Sequence, residues 1–168
     1  MVITVLSQAQ SIDSEQSKVY FNVMNRGAKV NGTIMNIKGV VNFDELDLAA
    51  SSFKATVEAS TIKTDNDGRD QHLNKADFFY TENFPEISME SEDIFLDKNG
   101  FMANCTLKIK DIAKAISIPF TQKIRDKKQI FESTFTINRL NFGLGTQINE
   151  KSVGFEVEVT IYCEVPMP

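Results

Sequence analysis

Residues 155–164 read FEVEVTIYCE, and their alternation is the strongest indication of the fold class. Apolar residues stand at every odd position from Phe155 to Cys163, whereas the even positions are polar except for Tyr162. Successive side chains of a β-strand point to opposite faces, so the pattern predicts a strand with one buried and one solvated face. Such strands are typical of antiparallel sheets.

The same alternation recurs along the chain, for instance in FKATVEAS at residues 53–60. The pair Asn99-Gly100 predicts a type I′ hairpin, which needs positive φ angles, between two of the strands. We expect about eight strands, with the second and third runs of the list open to being one. The runs cover residues 16–25, 29–36, 37–44, 51–60, 86–95, 101–110, 115–122, 129–138 and 152–164.

The architecture follows from the order of these runs. Long antiparallel strands in chain order predict an all-β, up-and-down barrel, with a Greek-key sandwich as the alternative. Residues 65–80 (DNDGRDQHLNKADFFY) lack the alternation. There Asp67 can cap a short helix, which we expect to cover one end of the barrel.

The composition restricts the possible chemistry. The 168 residues suit one domain, and 42% hydrophobic with 24% charged residues is typical of a globular protein. The net charge of -5 disfavours a nucleic-acid partner. One histidine and two cysteines disfavour a metal site or a disulfide scaffold, so no metal and no cofactor is expected. No apolar run has the roughly 20 residues of a membrane span, which predicts a soluble chain.

A nucleophilic mechanism would have to use His72, the only histidine, with Cys105 or a serine. No catalytic motif surrounds either residue, and Cys105 shares the apolar phase of its strand with Leu107 and Ile109. We therefore expect Cys105 in the core and no enzyme activity. A hydrolase using His72 is the alternative.

The 13 Phe and six Met residues exceed what one sheet layer needs. They predict either a barrel filled by its own side chains, which would make the protein an interaction module, or an apolar cavity for a lipid. In a cavity, burial of each methylene contributes about 0.8 kcal/mol, so a long chain could bind tightly without any catalytic group.

Several motifs carry a resemblance to a known family. They are residues 60–73 (STIKTDNDGRDQHL), 76–79 (ADFF), 84–87 (FPEI), 17–21 (SKVYF) and 138–143 (NRLNFG). Together they resemble the YceI-like family over nearly the whole chain, and the Arg-Asp-x-His-Leu run is the most specific part.

The resemblance implies one lipocalin-like barrel domain over residues 1–168. Its tunnel would hold a long-chain isoprenoid, such as an isoprenoid quinone, or another fatty lipid. The family has no established catalytic activity and often forms homodimers. The family's His-x-Gly after the first strand is missing here, so no head-group role is carried over from it. At a later turn Asp111 replaces the family's glycine, and we expect it to adopt a positive φ.

We expect the ligand to contact the inward phase of the strands and the apolar residues of the cap. Those residues are Phe21, Val23, Phe53, Val57, Leu73, Phe78, Phe79, Phe84, Leu107, Phe120, Phe135, Phe155, Val157 and Val159. Arg69, His72 and Arg139 would form a polar mouth for the head group. For Arg69 with Asp70, and for Arg139, the alternative is a structural role in fixing the loops.

The expected function is to bind the lipid for transport, storage or sequestration. The short apolar run at residues 2–6 lacks a positive flank and is too short for a signal peptide, which predicts a cytoplasmic protein. A periplasmic or secreted location is the alternative if a signal peptide has been removed.

Overall fold

The computed structural model describes residues 8–167, so the apolar run at residues 2–6 lies outside the described residues. All nine predicted strands are present, and a two-residue strand precedes them. The strands are β1 (Gln10–Ser11), β2 (Lys18–Asn25), β3 (Ala28–Ile34), β4 (Lys38–Asn42), β5 (Ser52–Glu58), β6 (Glu86–Asp97), β7 (Gly100–Ile109), β8 (Ile112–Arg125), β9 (Lys128–Asn138) and β10 (Val153–Pro166).

These strands form one curled antiparallel sheet in the order β1-β4-β5-β6-β7-β8-β9-β10-β2-β3. From β4 to β10 each strand pairs with the next along the chain, and the β2–β3 hairpin pairs with β10. The predicted all-β, lipocalin-like arrangement is confirmed. The Greek-key sandwich is wrong, because one meander provides nearly all the neighbours.

The sheet curls round through a bent strand. Eight antiparallel pairings separate β3 from β4 around the sheet, so these two strands run in the same direction. They are joined by residues 35–37 and act as two halves of one strand, paired with β2 before the bend and with β5 after it. Asn36, at a φ of 60°, marks the bend. The outer edge of β3 is met at Thr33 by an isolated bridge to Lys63.

The turns differ in detail from the predicted ones. The hairpin at Asn99-Gly100 is present, but of the two only Gly100 has a positive φ (127°), so it is not the predicted type I′ turn. Between β7 and β8 the positive φ lies at Lys110 (56°) rather than at Asp111. In the first turn only one of the two predicted positive φ angles is present, and in the second the positive φ lies one residue before the predicted position.

The segment after β5 contains the only α-helix of the described residues, α1 (Asp67–Leu73). Its N-cap is Asn66, whose side-chain oxygen accepts a hydrogen bond from the Arg69 backbone N–H at 2.9 Å. The predicted cap, Asp67, is instead the first helical residue, where its charge favours the helix dipole. The short helix was therefore predicted correctly and its cap was one residue off.

Candidate ligand cavity

An apolar cavity of about 240 Å³ lies inside the curled sheet. Its wall includes residues of β2 through β10 and of the cap segment after β5. An engineered apolar cavity of about 150 Å³ is already large enough to stay dry and to bind benzene. The interaction-module alternative requires a barrel that is filled by its own side chains. The cavity shows that this barrel is not filled in that way.

Most of the expected contact residues line this cavity. The twelve that do are Phe21, Val23, Phe53, Val57, Leu73, Phe78, Phe79, Leu107, Phe120, Phe135, Val157 and Val159. On the strands these residues keep a single inward phase, which the alternating sequence pattern determines. That they contact a ligand stays a prediction.

Two expected residues, Phe84 and Phe155, do not line the cavity. The centroid of the Phe84 ring lies 6.0 Å from that of the Tyr80 ring, so Phe84 packs within the segment that follows α1. The register between β10 and β2 shifts between Val153 and Val157, and Phe155 lies within this irregularity. Its ring is instead covered by a guanidinium group.

The sequence analysis missed several wall residues. For those on strands, such as Ile34, Val41 and Phe131, the inward phase was available as a signal. Phe43 lies in the loop directly after β4, yet it continues the odd-numbered phase of Ile37 and Val41 in the predicted run 37–44. For Leu144, which lies in a loop, alternation offers no signal, and only the folded chain brings it to the cavity.

Phe43 is the centre of an aromatic cluster, which is made up of Phe43, Phe101, Phe120 and Phe131. The Phe43 ring centroid lies 5.2, 5.7 and 5.5 Å from those of Phe101, Phe120 and Phe131, each in an edge-to-face arrangement. Edge-to-face pairs at this distance are favourable beyond the area they bury. The aromatic cluster thus lies at the end of the barrel opposite the cap, beside the hairpin ends of β6–β7 and β8–β9.

Arg139 is 2% exposed, and its guanidinium uses all five N–H groups within the protein. The acceptors, at 2.6–3.0 Å, are the backbone carbonyls of Leu144, Gly145, Ile148, Val153 and Gly154. The guanidinium also lies 5.3 Å from the centroid of the Phe155 ring. Arg139 borders the cavity, but every N–H already has an acceptor within the protein, which favours the structural role over a place in a polar mouth.

Arg69 and His72 are also engaged within the cap and do not line the cavity. Arg69 donates from Nε to Thr64 Oγ1 and from Nη2 to the Thr64 carbonyl, each at 2.7 Å. His72 Nε2 lies 2.6 Å from Asp77 Oδ2. The predicted polar mouth is therefore not assembled in this arrangement of the chain.

Asp70 ties the start of α1 to the chain before it. It is 5% exposed, and its Oδ1 accepts hydrogen bonds from the Thr64 backbone N–H at 2.9 Å and from Thr64 Oγ1 at 2.6 Å. Lys63 Nζ lies 3.8 Å from Asp70 Oδ2. These contacts agree with the structural interpretation of the Arg69-Asp70 pair.

Both cysteines are buried and free. Burial raises the pKa of each thiol to about 12. A thiol with so high a pKa is a poor nucleophile at neutral pH, since the thiolate is the reactive form. Cys163 lines the cavity and Cys105 does not. His72 contacts Asp77 and the Cys105 thiol contacts the Ala103 carbonyl, so the structure does not pair Cys105 with His72.

Within residues 8–167 no group of three or more His, Cys, Asp and Glu side chains is arranged to hold a metal ion. Over the same residues, no helix has the length and apolar character needed to cross a membrane.

The sequence model of the YceI-like domain matches residues 10–165. The chain belongs to the YceI-like family. The match covers every strand but the last residue of β10, so the family and the cavity-bearing fold describe the same part of the chain.

Curated relatives are moderately similar to this YceI-like chain. The UPF0312 protein SA2479 of Staphylococcus aureus strain N315 is 28% identical over 140 residues, which is 80% of this chain and 81% of the relative. The protein YceI of Escherichia coli O17:K52:H18 is 24% identical over 107 residues, which is 63% of this chain and 56% of that protein.

Two solved structures share the fold. BcnA of Burkholderia cenocepacia has a TM-score of 0.85 at 20% identity, covering 91% of this chain and 98% of that one. A polyisoprenoid-binding domain from Saccharophagus degradans, implicated in plant cell wall breakdown, has a TM-score of 0.73 at 12% identity, covering 94% and 98%. At these identities the likeness establishes the fold alone.

Proposed function

We propose that this YceI-like protein binds a long-chain isoprenoid or another amphiphilic lipid in its cavity, without chemistry of its own. The single observation that carries the proposal is the apolar cavity, whose wall reaches from the cap residues Leu73 and Phe78 to Phe43 of the aromatic cluster. A wall of this kind recognises an apolar chain through the area it buries rather than through polar groups.

The length of the cavity favours an extended ligand. Val153 and Cys163, at the two ends of β10, both belong to the wall. Ten strand residues span roughly 33 Å along the strand, and a barrel tilt of about 40° leaves roughly 25 Å along the axis. Apolar contacts along such a path suit a long, unbranched or regularly branched chain.

Two observations support a role without catalysis. Neither His72 nor Cys105 lines the cavity, and burial raises the pKa of the Cys105 thiol to about 12. The S. degradans domain with the same fold is a polyisoprenoid-binding domain, which supports the same class of ligand here.

The direct test is to extract the purified protein with organic solvent and to identify the released molecules by mass spectrometry. The proposal predicts a long-chain lipid at a fixed ratio to protein.

A fluorescence titration tests binding independently. The chain has no Trp, so Phe135→Trp places a single reporter in the cavity wall. Addition of an isoprenoid quinone should quench or shift its emission. Thr136→Trp, one residue along β9 on the exposed face, is the matched control and should not respond. A flat Phe135→Trp titration up to the solubility of the quinone would contradict the proposal.

The physiological part of the proposal is transport, storage or sequestration of the lipid, by a monomer or a homodimer. Light scattering of the purified protein measures the oligomeric state. A cytoplasmic location, or a periplasmic or secreted one, stays a prediction that fractionation of expressing cells would decide.

A further inference from the structure

The exposed apolar side chains of the molecule are unevenly distributed. Among large hydrophobic residues of the described chain, the three with the greatest exposure are Leu46 (92%), Leu96 (64%) and Ile124 (64%). All three lie at one end of the barrel, the end that carries the aromatic cluster. We call Leu46, Leu96 and Ile124 the rim.

The register of the strands places the rim at this end. Leu96 precedes the β6–β7 turn and pairs with Phe101, which pairs in turn with Phe120. Ile124 precedes the β8–β9 turn, four residues beyond Phe120 and on the same face of β8. The hairpins therefore continue the inward apolar phase of the barrel beyond its end, where no core covers it.

Leu46 lies on the loop between β4 and β5, three residues after Phe43. Ser51 fixes the base of this loop, because its single O–H lies within reach of the carbonyl oxygens of both Asp44 and Asp47, with Oγ at 3.2 and 3.0 Å from them. One short loop thus carries both the most exposed apolar side chain and the ring at the centre of the aromatic cluster. Since Phe43, Phe120 and Phe131 of that cluster line the cavity, the rim lies beside one end of the cavity.

The charges around the rim offset one another. Asp44, Glu45 and Asp47 flank Leu46, and Asp97 and Lys98 follow Leu96. Near Ile124 lie Lys123, Arg125 and Lys127, with Asp126 among them. A surface built to approach strongly anionic lipids would be basic throughout. An apolar rim with balanced charge suits contact with a lipid surface through the apolar side chains themselves.

We infer that the rim docks this end of the barrel onto a bilayer surface, where the cavity exchanges its ligand with the membrane. The exchange rests on the proposed lipid-binding function. Docking is a separate property, and it depends on apolar side chains that the cavity does not use.

The test is flotation of the full chain with vesicles of phosphatidylcholine and phosphatidylethanolamine. The rim variant combines Leu46→Ser, Leu96→Ser and Ile124→Ser. The matched control combines Tyr20→Ser, Met24→Ser and Val40→Ser, which removes three exposed apolar side chains (43–48% exposed) from the outer wall of the barrel. Circular dichroism and urea unfolding confirm that both variants are folded before they are compared.

The wild type should float with the vesicles, the rim variant should bind at least about tenfold more weakly, and the control should stay within about twofold of the wild type. Raised salt should change wild-type binding little, because the charges offset. Failure of the wild type to float, an equal loss in both variants, or a steep salt dependence would each overturn docking through the rim. Docking on a bilayer would also be overturned if the wild type did not float and the rim substitutions only converted a dimer into a monomer.

The quinone titration of Phe135→Trp keeps the two proposals apart. If Phe135→Trp responds in solution with and without the rim substitutions, and the rim variant still floats, docking fails and lipid binding stands. If the titration is flat while flotation depends on the rim, the proposed ligand fails and docking stands.

Discussion

The cavity wall and the loop around Arg139 are both buried, yet they are held in opposite ways. The wall consists mainly of apolar side chains from many strands, with Arg139 at its border, and leaves about 240 Å³ open. Around Arg139 every guanidinium N–H meets a backbone carbonyl within 3.0 Å. Apolar contacts are not directional and tolerate a change of contents, whereas hydrogen bonds are directional and fix one geometry. The molecule therefore combines an adaptable interior with a rigid loop at one end.

The largest loss of stability is expected when the hydrogen bonds between Arg139 and its loop are removed. Arg139→Ala leaves five backbone carbonyls without their donor, those of Leu144 and Gly145 in buried positions, and should lower the free energy of unfolding by about 3–5 kcal/mol, measured by urea denaturation. Arg139→Lys keeps the charge but has fewer N–H donors. Its free energy of unfolding should lie between those of the wild type and Arg139→Ala.

Arg69→Ala is the matched control for that comparison. Arg69 is partly exposed and its side chain donates only to Thr64, so its loss should cost about 1–2 kcal/mol. An equal loss of stability in Arg69→Ala and Arg139→Ala would contradict the special role of the Arg139 loop.

A second pair of substitutions compares the open and the packed parts of one strand. Val165 on β10 is 1% exposed and lies outside the cavity wall, so Val165→Phe should cost about 1–3 kcal/mol through overpacking. Val159, on the same face of β10, borders the cavity, so Val159→Phe should cost less than about 1 kcal/mol.

The same Val159→Phe substitution fills part of the cavity and should reduce the amount of lipid that mass spectrometry detects in the purified protein. If Val159→Phe destabilised the chain as much as Val165→Phe, the space inside the barrel would not be available to a ligand.

A smaller effect is expected at the start of α1, where a polar contact is exposed rather than buried. Asn66→Ala removes the N-cap hydrogen bond to the Arg69 backbone N–H and should cost about 1 kcal/mol in urea unfolding. Asp67→Ala should cost less, since Asp67 contributes only its charge near the helix start. The reverse order would show that the cap is at Asp67.

The ionisation of the two thiols should not affect the free energy of unfolding near neutral pH. Burial raises the pKa of Cys105 and Cys163 from the usual value near 9 to about 12. A raised acid pKa in the folded state means that only the unfolded chain ionises between pH 9 and 12, so the free energy of unfolding should fall as the pH rises above about 9.

Urea unfolding at pH 8 and pH 10 measures this fall, and it should shrink in Cys105→Ala and in Cys163→Ala. Iodoacetamide at pH 8 should modify neither thiol of the folded protein. Bound lipid should further protect Cys163, which lines the cavity, but not Cys105. Rapid modification of both thiols at pH 8 would contradict the burial.

The site was less predictable than the strands, for reasons that particular residues make clear. The phase of Phe135, Val157 and Val159 follows from residues one and two positions away, so it could be predicted. The exclusion of Phe155 could not, because it depends on a register shift against β2. The role of Arg139 could not either, since its acceptors lie 5–15 residues away along a loop without periodicity.

From the sequence alone follow the approximate positions of the nine longer strands, the face that most of their residues occupy, the short helix and the family. All of these depend on local periodicity or on contiguous motifs. Four features become visible only in the folded chain. They are the bend that joins β3 to β4, the aromatic cluster around Phe43, the engagement of all three predicted head-group residues within the protein, and the space left inside the barrel. These features depend on contacts between segments far apart in the chain, where packing density and hydrogen-bond geometry, rather than residue type, select the partners.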